Sequence, residues 1–272
     1  MRYLKKCLLV LLVCLPVSVS AFVAPAQVNV ASKEWGDANP DDVQTVLQSV
    51  IDTLSPYMLN REFGAITIRD DPQGPVSLYE KGKNGEYVIL LNVKGRYWAQ
   101  LVYQFSHEMC HLMSNYDLAP NNISRQQWFE EALCEAFSLF ALDRMAEQWA
   151  AYPPYPQWQD YAPEFLKYKQ DNLKQAHRRL PRGMKLPAWY EEYRKTLSND
   201  PYAQGRDLNE LVANQLLPVF SARPESWIAI NYLNLGEDSK GVPLQQYLED
   251  WENSTPPGLR TPVREIREML LK

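Results

Sequence analysis

The sequence HEMCH at residues 107–111 places two of the chain's three histidines four positions apart, around a glutamate. Residues four positions apart on an α-helix project from the same face, one turn apart. Apolar residues between positions 96 and 114 recur at helical spacing and form one stripe: Trp98, Val102, Phe105, Met109 and Leu112. His107 and His111 lie opposite that stripe. The segment is therefore predicted to be a helix that packs with one face and presents both imidazoles on the other, toward a cleft.

Two imidazoles at this spacing can hold one metal ion, and zinc is the ion that they favour. Zinc at a catalytic site takes three protein ligands and keeps a fourth position for water. The glutamate that follows the first histidine, Glu108, then has the position to accept a proton from that water. His107 and His111 are predicted zinc ligands, and Glu108 is the predicted general base.

A second helix is expected to supply the third zinc ligand. The sequence SRQQ at 124–127 is typical of a capping box, and the helical pattern after it continues to Gln148. Glu131 and Glu135 lie opposite the apolar stripe of this helix, whereas Glu130 is turned to the side, at about 100° from the stripe. This geometry selects Glu131 as the ligand and leaves Glu135 to accept a hydrogen bond from a ligand imidazole.

An HExxH motif followed by a glutamate on a second helix resembles the core of the gluzincin zinc metallopeptidases, which include thermolysin and many aminopeptidases. In thermolysin-like members the glutamate ligand falls twenty positions after the second histidine, with an acidic residue four positions further on. Glu131 and Glu135 match both spacings. The aminopeptidase spacing is one residue shorter and would select Glu130, and Trp128 resembles that branch. The resemblance covers roughly residues 86–140.

The resemblance implies hydrolysis of peptide bonds, in which Glu108 takes a proton from water and passes it to the leaving amine. It also implies an edge strand before the active-site helix that pairs with substrate backbone. The segment Tyr87 to Asn92 has that place in the chain, and the alternative is an ordinary buried strand. The Gly-Ala-Met-Glu-Asn motif of aminopeptidases has no match, so recognition of a free amino terminus is not expected.

The resemblance also implies a hydrogen-bond donor that stabilises the transition state, from a residue later in the chain than the metal ligands. His177 is one candidate, although its polar surroundings at 174–179 are more typical of a solvated helix face. Several tyrosines compete for the role: Tyr155, Tyr161, Tyr190 and Tyr232.

The remaining patterns predict an α+β fold. Segments before the first histidine predict a helix over 41–54 and strands over 65–69, 76–80 and 86–93. The last two strands are joined through Asn84-Gly85, a hairpin signal. Amphipathic helical patterns follow Ala150, at 161–180, 207–216, 224–235, 244–253 and 262–271. We expect a strand-containing catalytic lobe over 22–150 and a mainly helical lobe over 151–272, with zinc between them.

Residues 1–21 have the features of a secretory signal, with a basic start, a short apolar core and small residues before Ala21. Cleavage is expected after Ala21 or Ala26. A lipoprotein signal ending at Cys14 is the alternative, but the residues just before that cysteine are not small. The apolar core is too short to span a bilayer comfortably, and no later segment approaches the required length. The mature protein is therefore expected to be periplasmic or secreted, without a transmembrane anchor.

Loss of this segment would change the formal net charge from −5 to −8, because it carries three basic residues and no acidic ones. A chain with this negative charge is not expected to bind nucleic acid, so the expected partner is a peptide or protein substrate.

Two rival functions remain. One is a zinc-containing protein without turnover that binds peptides or assists assembly in the cell envelope. The other is a helical protein without metal, in which HEMCH is a coincidence.

Cys110 and Cys134 would remain in the mature chain, one on each ligand helix. A disulfide between these helices is one expectation for an oxidising compartment. Two buried free thiols are the other. A cysteine as zinc ligand fits less well than Glu131, because Cys110 is turned about 100° from His111.

Overall fold

The computed structural model describes residues 26–32, 35–58, 61–116, 126–200, 203–235 and 242–272. The predicted secretory signal and the predicted capping residue Ser124 lie outside the described residues. Within the described ranges, none of the helices combines the length and the apolar character that a membrane span requires.

The strands form one mixed sheet near the amino-terminal end of the chain. They are β1 (Gln27–Val30), β2 (Ala65–Asp70), β3 (Val76–Ser77) and β4 (Tyr87–Leu91). Their spatial order is β1-β2-β4-β3, with β1, β2 and β4 parallel and β3 antiparallel to β4. The three predicted strands are confirmed in position. β3 is shorter than the pattern indicates, and β1 was not predicted.

β4 is an interior strand, so the alternative of an ordinary buried strand is confirmed and the edge position beside the active-site helix, which the resemblance implies, is not. It pairs with β2 on one side and with β3 on the other, and all five of its residues are buried. A continuous apolar run such as YVILL is typical of a strand covered on both faces. The edge position next to the predicted zinc ligands therefore belongs to β3.

The helices surround and extend this sheet, so the fold is α+β, with a helical remainder. They are α1 (Pro40–Leu54), α2 (Trp98–Met113), α3 (Gln127–Ala151), α4 (Ala162–Leu173), α5 (Leu186–Ser198), α6 (Arg206–Ser221), α7 (Leu244–Ser254) and α8 (Arg260–Leu271). The predicted helix over 161–180 ends early, at Leu173, and the pattern at 224–235 forms 3-10 turns instead of an α-helix. α5 was not predicted.

α3 is the central helix of the molecule and packs against α2, α4 and α6. It is buried around most of its circumference, from Trp128 to Trp149, as expected for a helix without a solvent face. α2 is covered as well, by α3, α1 and β4. The histidine face of α2 is therefore not open to solvent but forms the floor of a cleft, with His107 6% and His111 8% exposed.

Candidate metal centre

Helices α2 and α3 bring the three predicted zinc ligands together. His107 and His111 project from consecutive turns of α2, and their Nε2 atoms are 3.2 Å apart. Glu131, near the start of α3, has Oε2 3.1 Å from His107 Nε2 and Oε1 3.3 Å from His111 Nε2. The three side chains thus form a triangle, which the carboxylate closes with a different oxygen toward each imidazole.

The spacing within this triangle is close to what a zinc ion requires. Zinc binds imidazole nitrogen and carboxylate oxygen at about 2.0–2.2 Å, so two ligands at the tetrahedral angle are roughly 3.3–3.6 Å apart. The three separations at the site are 3.1, 3.2 and 3.3 Å, at or slightly below this range. Two neutral imidazoles and one carboxylate are also the kind of donors that zinc accepts at catalytic sites.

Glu130 supports the second histidine from behind. Its Oε1 lies 2.8 Å from His111 Nδ1 and 2.5 Å from the Ser114 hydroxyl, and its Oε2 accepts a hydrogen bond from Asn234 Nδ2 at 2.8 Å. A carboxylate on Nδ1 keeps the proton there and leaves Nε2 of His111 for a metal. The sequence analysis assigned the support of a ligand imidazole to Glu135 and missed this role of Glu130.

Glu135 lies close to the first histidine without bonding to it. The distance from Glu135 Oε2 to His107 Nδ1 is 3.8 Å, which is beyond hydrogen-bond range. The Glu135 carboxylate instead pairs with Arg178 at 2.7 Å and accepts a short hydrogen bond from the Tyr103 hydroxyl. Burial, and next the negative charge of Glu135, raise the pKa of Tyr103, so this hydroxyl stays protonated as a donor.

Arg178 is a buried part of the site that sequence reasoning missed. The polar run 174–179 resembles a solvated helix face, but the Arg178 side chain is only 1% exposed. Its guanidinium also pairs with Glu210 Oε2 at 3.1 Å. No local signal in the sequence distinguishes this arginine from its neighbour Arg179, which is exposed.

The cleft above the triangle has a volume of about 400 Å³. Glu108, the predicted base, lines it together with the three predicted ligands. Other lining residues belong to the edge strand, to the segment before α6 and to the first residue of α6: Pro75, Val76, Ser77, Ala203, Gln204 and Arg206. Ser77 also donates a hydrogen bond to the backbone oxygen of Glu108 at 3.3 Å, which joins β3 to α2.

His177 does not line this cleft. It lies in an adjoining recess of about 410 Å³ that shares Pro75, His107 and Arg206 with the cleft, and its Nε2 is 2.5 Å from Glu210 Oε2. The four tyrosines considered as alternatives line neither space. The tyrosine that does line the cleft is Tyr79, which follows β3 and was not among the candidates.

The charges of the triangle depend strongly on one another. Burial alone would lower the pKa of His111, but Glu131 and Glu130 raise it well above its usual value. Burial alone would raise the pKa of Glu131, but His111 and then His107 lower it well below its usual value. The carboxylates therefore favour a positive charge at this point, which a proton or a metal cation can supply.

Both cysteines of the ligand helices are buried free thiols. Burial raises the pKa of Cys134, and the neighbouring Cys110 raises it further. The two thiols thus behave as small apolar residues within the interface between α2 and α3.

Neither a protein-family model nor a curated protein matches this chain.

Proposed function

We propose that this protein is an exported zinc-dependent peptidase. The observation that carries the proposal is the triangle of His107, His111 and Glu131, whose donor atoms are spaced close to what tetrahedral zinc requires, with Glu108 in the same cleft. Export rests on the signal-like composition of residues 1–21.

Each residue of the centre has a defined task in this proposal. His107, His111 and Glu131 would hold zinc, which when bound polarises a carbonyl and makes water more acidic. Glu108 accepts the proton of the attacking water and passes it to the leaving amine. Glu130 holds the ring of His111 in the orientation that metal binding requires.

The edge strand is the part of the cleft that suits an extended peptide. Among the described residues, β3 has β4 as its single strand neighbour, and Val76 and Ser77 line the cleft beside the predicted zinc ligands. A substrate strand can add to such an edge through backbone hydrogen bonds. This assigns to β3 the role that the sequence pattern suggested for β4.

A zinc-containing peptide-binding protein without turnover is the second candidate. The position of His177 favours this candidate, because His177 lies outside the cleft, within 2.5 Å of Glu210. From there it does not serve as the hydrogen-bond donor to the transition state.

The two candidates are separated by the Glu108→Gln variant. The wild type should cleave members of a broad peptide library, whereas Glu108→Gln should retain zinc and lose turnover, because an amide does not accept the proton. Asp143→Asn, on the far part of α3, is a matched control that should keep wild-type rates. A wild-type protein that holds zinc and leaves every peptide intact would support the binding candidate instead.

A further inference from the structure

One arginine of the cleft has no part in the proposed reaction. Arg206, the first residue of α6, lines both the cleft of the zinc ligands and the adjoining recess. It is exposed, and its guanidinium forms no ion pair or hydrogen bond with any other residue that the structure describes. It is the only lysine or arginine among the described residues that line the cleft.

The turn before α6 fixes the backbone that carries this arginine. Ala203 has a left-handed φ of 51°, which is uncommon for a residue other than glycine. Its carbonyl accepts a hydrogen bond from Asn209 Nδ2 at 3.1 Å, and its N–H donates to the Asp200 carbonyl at 3.0 Å. The Gly205 N–H donates to Asp200 Oδ2 at 2.6 Å. The described residues 203–205, which precede Arg206, are therefore anchored by hydrogen bonds.

The balance of charge in the cleft favours an anion next to Arg206. Glu108 and Glu131 are the acidic side chains of the cleft lining, and a zinc dication would balance both. In the recess, Glu210 shares the guanidinium of Arg178 with Glu135. Within the cleft lining, the guanidinium of Arg206 is then the positive charge that no carboxylate compensates, and a concave site concentrates fields.

The neighbouring acidic residue does not supply that compensation. Asp207 has a side chain that is 78% exposed, and its Oδ1 lies 3.9 Å from His177 Nε2. Its carboxylate therefore leaves the guanidinium of Arg206 available to a ligand.

We propose that Arg206 binds a carboxylate of the peptide substrate, across the boundary between the cleft and the recess. The inference rests on the proposed peptidase function and names the class of peptide that the site selects. A planar guanidinium matches a carboxylate with two parallel hydrogen bonds, which are stronger than neutral ones. The carboxylate can belong to an acidic side chain or to the carboxyl terminus of the peptide.

Four fluorescent peptides that differ only in their carboxylates distinguish these two sources. They carry Glu or Gln at the position that flanks the cleaved bond, each with a free or an amidated carboxyl terminus. Their binding is measured by anisotropy on zinc-loaded Glu108→Gln protein, and their cleavage is measured on the wild type. We expect one of the two carboxylates to strengthen binding roughly tenfold or more, as charged hydrogen bonds do.

Arg206→Gln should abolish the preference for peptides that carry this carboxylate, and Arg206→Lys should keep part of that preference. Arg182→Gln, an exposed arginine outside both spaces, is the control that should keep all of it. An unchanged preference in Arg206→Gln, or no effect of either carboxylate on binding, overturns the proposal. A preference that depends on Arg206 without cleavage of any peptide supports the carboxylate site and rejects the peptidase function.

Discussion

At the scale of single residues, the adjacent carboxylates of Glu130 and Glu131 lie on different sides of His111. Consecutive helical positions project about 100° apart, so Glu130 and Glu131 cannot face the same atom. Glu131 reaches the Nε2 atoms of both histidines, whereas Glu130 reaches Nδ1 of His111 from the other side. In the proposed centre, Glu131 is therefore a ligand and Glu130 orients a ligand.

Substitution of each glutamate should separate these tasks. Glu131→Ala should be purified without zinc, because a ligand is lost. Glu130→Ala should bind zinc about 10–100-fold more weakly, as is usual when a supporting partner is removed. Glu147→Ala, exposed on the same helix, should bind zinc as the wild type does. Metal analysis and competition with a chromophoric chelator measure this, and equal losses in the variants of Glu130 and Glu131 would contradict the assignment.

Zinc binding should also depend on pH through His111. Its pKa is raised well above the usual value by Glu131 and Glu130 against the effect of burial, so a cation must displace a proton. We expect release of about one proton per zinc, and an affinity that falls about tenfold per pH unit below that raised pKa. Calorimetry in buffers of different ionisation enthalpy measures the proton count. A count of zero at neutral pH would show that His111 is not protonated before zinc binds.

His111 and Glu131 also determine how the stability of the metal-free protein varies with pH. The contribution of His111 is complete below its unfolded-state pKa and is lost as the pH rises through the raised folded-state value. The contribution of Glu131 is present above its unfolded-state pKa and is lost as the pH falls through its lowered value.

At the scale of elements, Arg178 joins three helices behind the first histidine. It pairs with Glu135 of α3 and Glu210 of α6, and it donates to the Tyr103 hydroxyl of α2 at 3.3 Å. Burial acts to lower the pKa of Arg178, but Glu135 and its other partners raise it, so the guanidinium remains charged. The helices that carry the ligands are thereby tied to the helical remainder.

Removal of this arginine should destabilise the protein strongly. Arg178→Met leaves Glu135 buried without its counter-charge, and such losses cost about 3–5 kcal/mol in the free energy of unfolding. Arg178→Met combined with Glu135→Gln should recover much of that loss. Arg194→Met, which breaks a surface pair with Glu191, should change stability by less than about 1 kcal/mol. Urea unfolding measures all three, and similar values for Arg178→Met and Arg194→Met would contradict the role of Arg178.

At the scale of the whole molecule, the candidate centre lies between the two most buried helices. α2 and α3 supply all three predicted ligands, and one continuous apolar cluster extends from Val28 in β1 through these helices to Leu270 in α8. An ion that joins α2 to α3 therefore joins parts of the same core, and its binding energy adds to the stability of the fold.

Zinc should accordingly raise the melting temperature of the protein. Zinc at a thousand times its dissociation constant contributes about 4 kcal/mol to the free energy of unfolding. Differential scanning fluorimetry with zinc and with a chelator measures the shift, and Glu131→Ala should show none. An equal shift in the wild type and in Glu131→Ala would mean that zinc acts elsewhere.

The helices of the centre were predictable from local pattern. The spacing of HEMCH, the apolar stripe of α2 and the opposite face of α3 follow from the helical repeat, which depends only on backbone bonds between near neighbours. The same periodicity distinguished Glu131 from Glu130, and the structure has the two on different sides of His111. α5 was missed because the apolar positions that it buries are few, at Leu186, Trp189 and Leu197.

The side chains that support the predicted ligands could not be found from local pattern, because they come from distant parts of the chain. Asn234 meets Glu130 across 104 positions, and Arg178 meets Tyr103 across 75. The pairing of β3 with β4 likewise decides which strand is the edge, and a run of apolar residues does not show how many neighbours it will have. Short-range periodicity therefore specifies which face of a helix carries a ligand, whereas packing of remote segments specifies what supports that ligand and what shares its cleft.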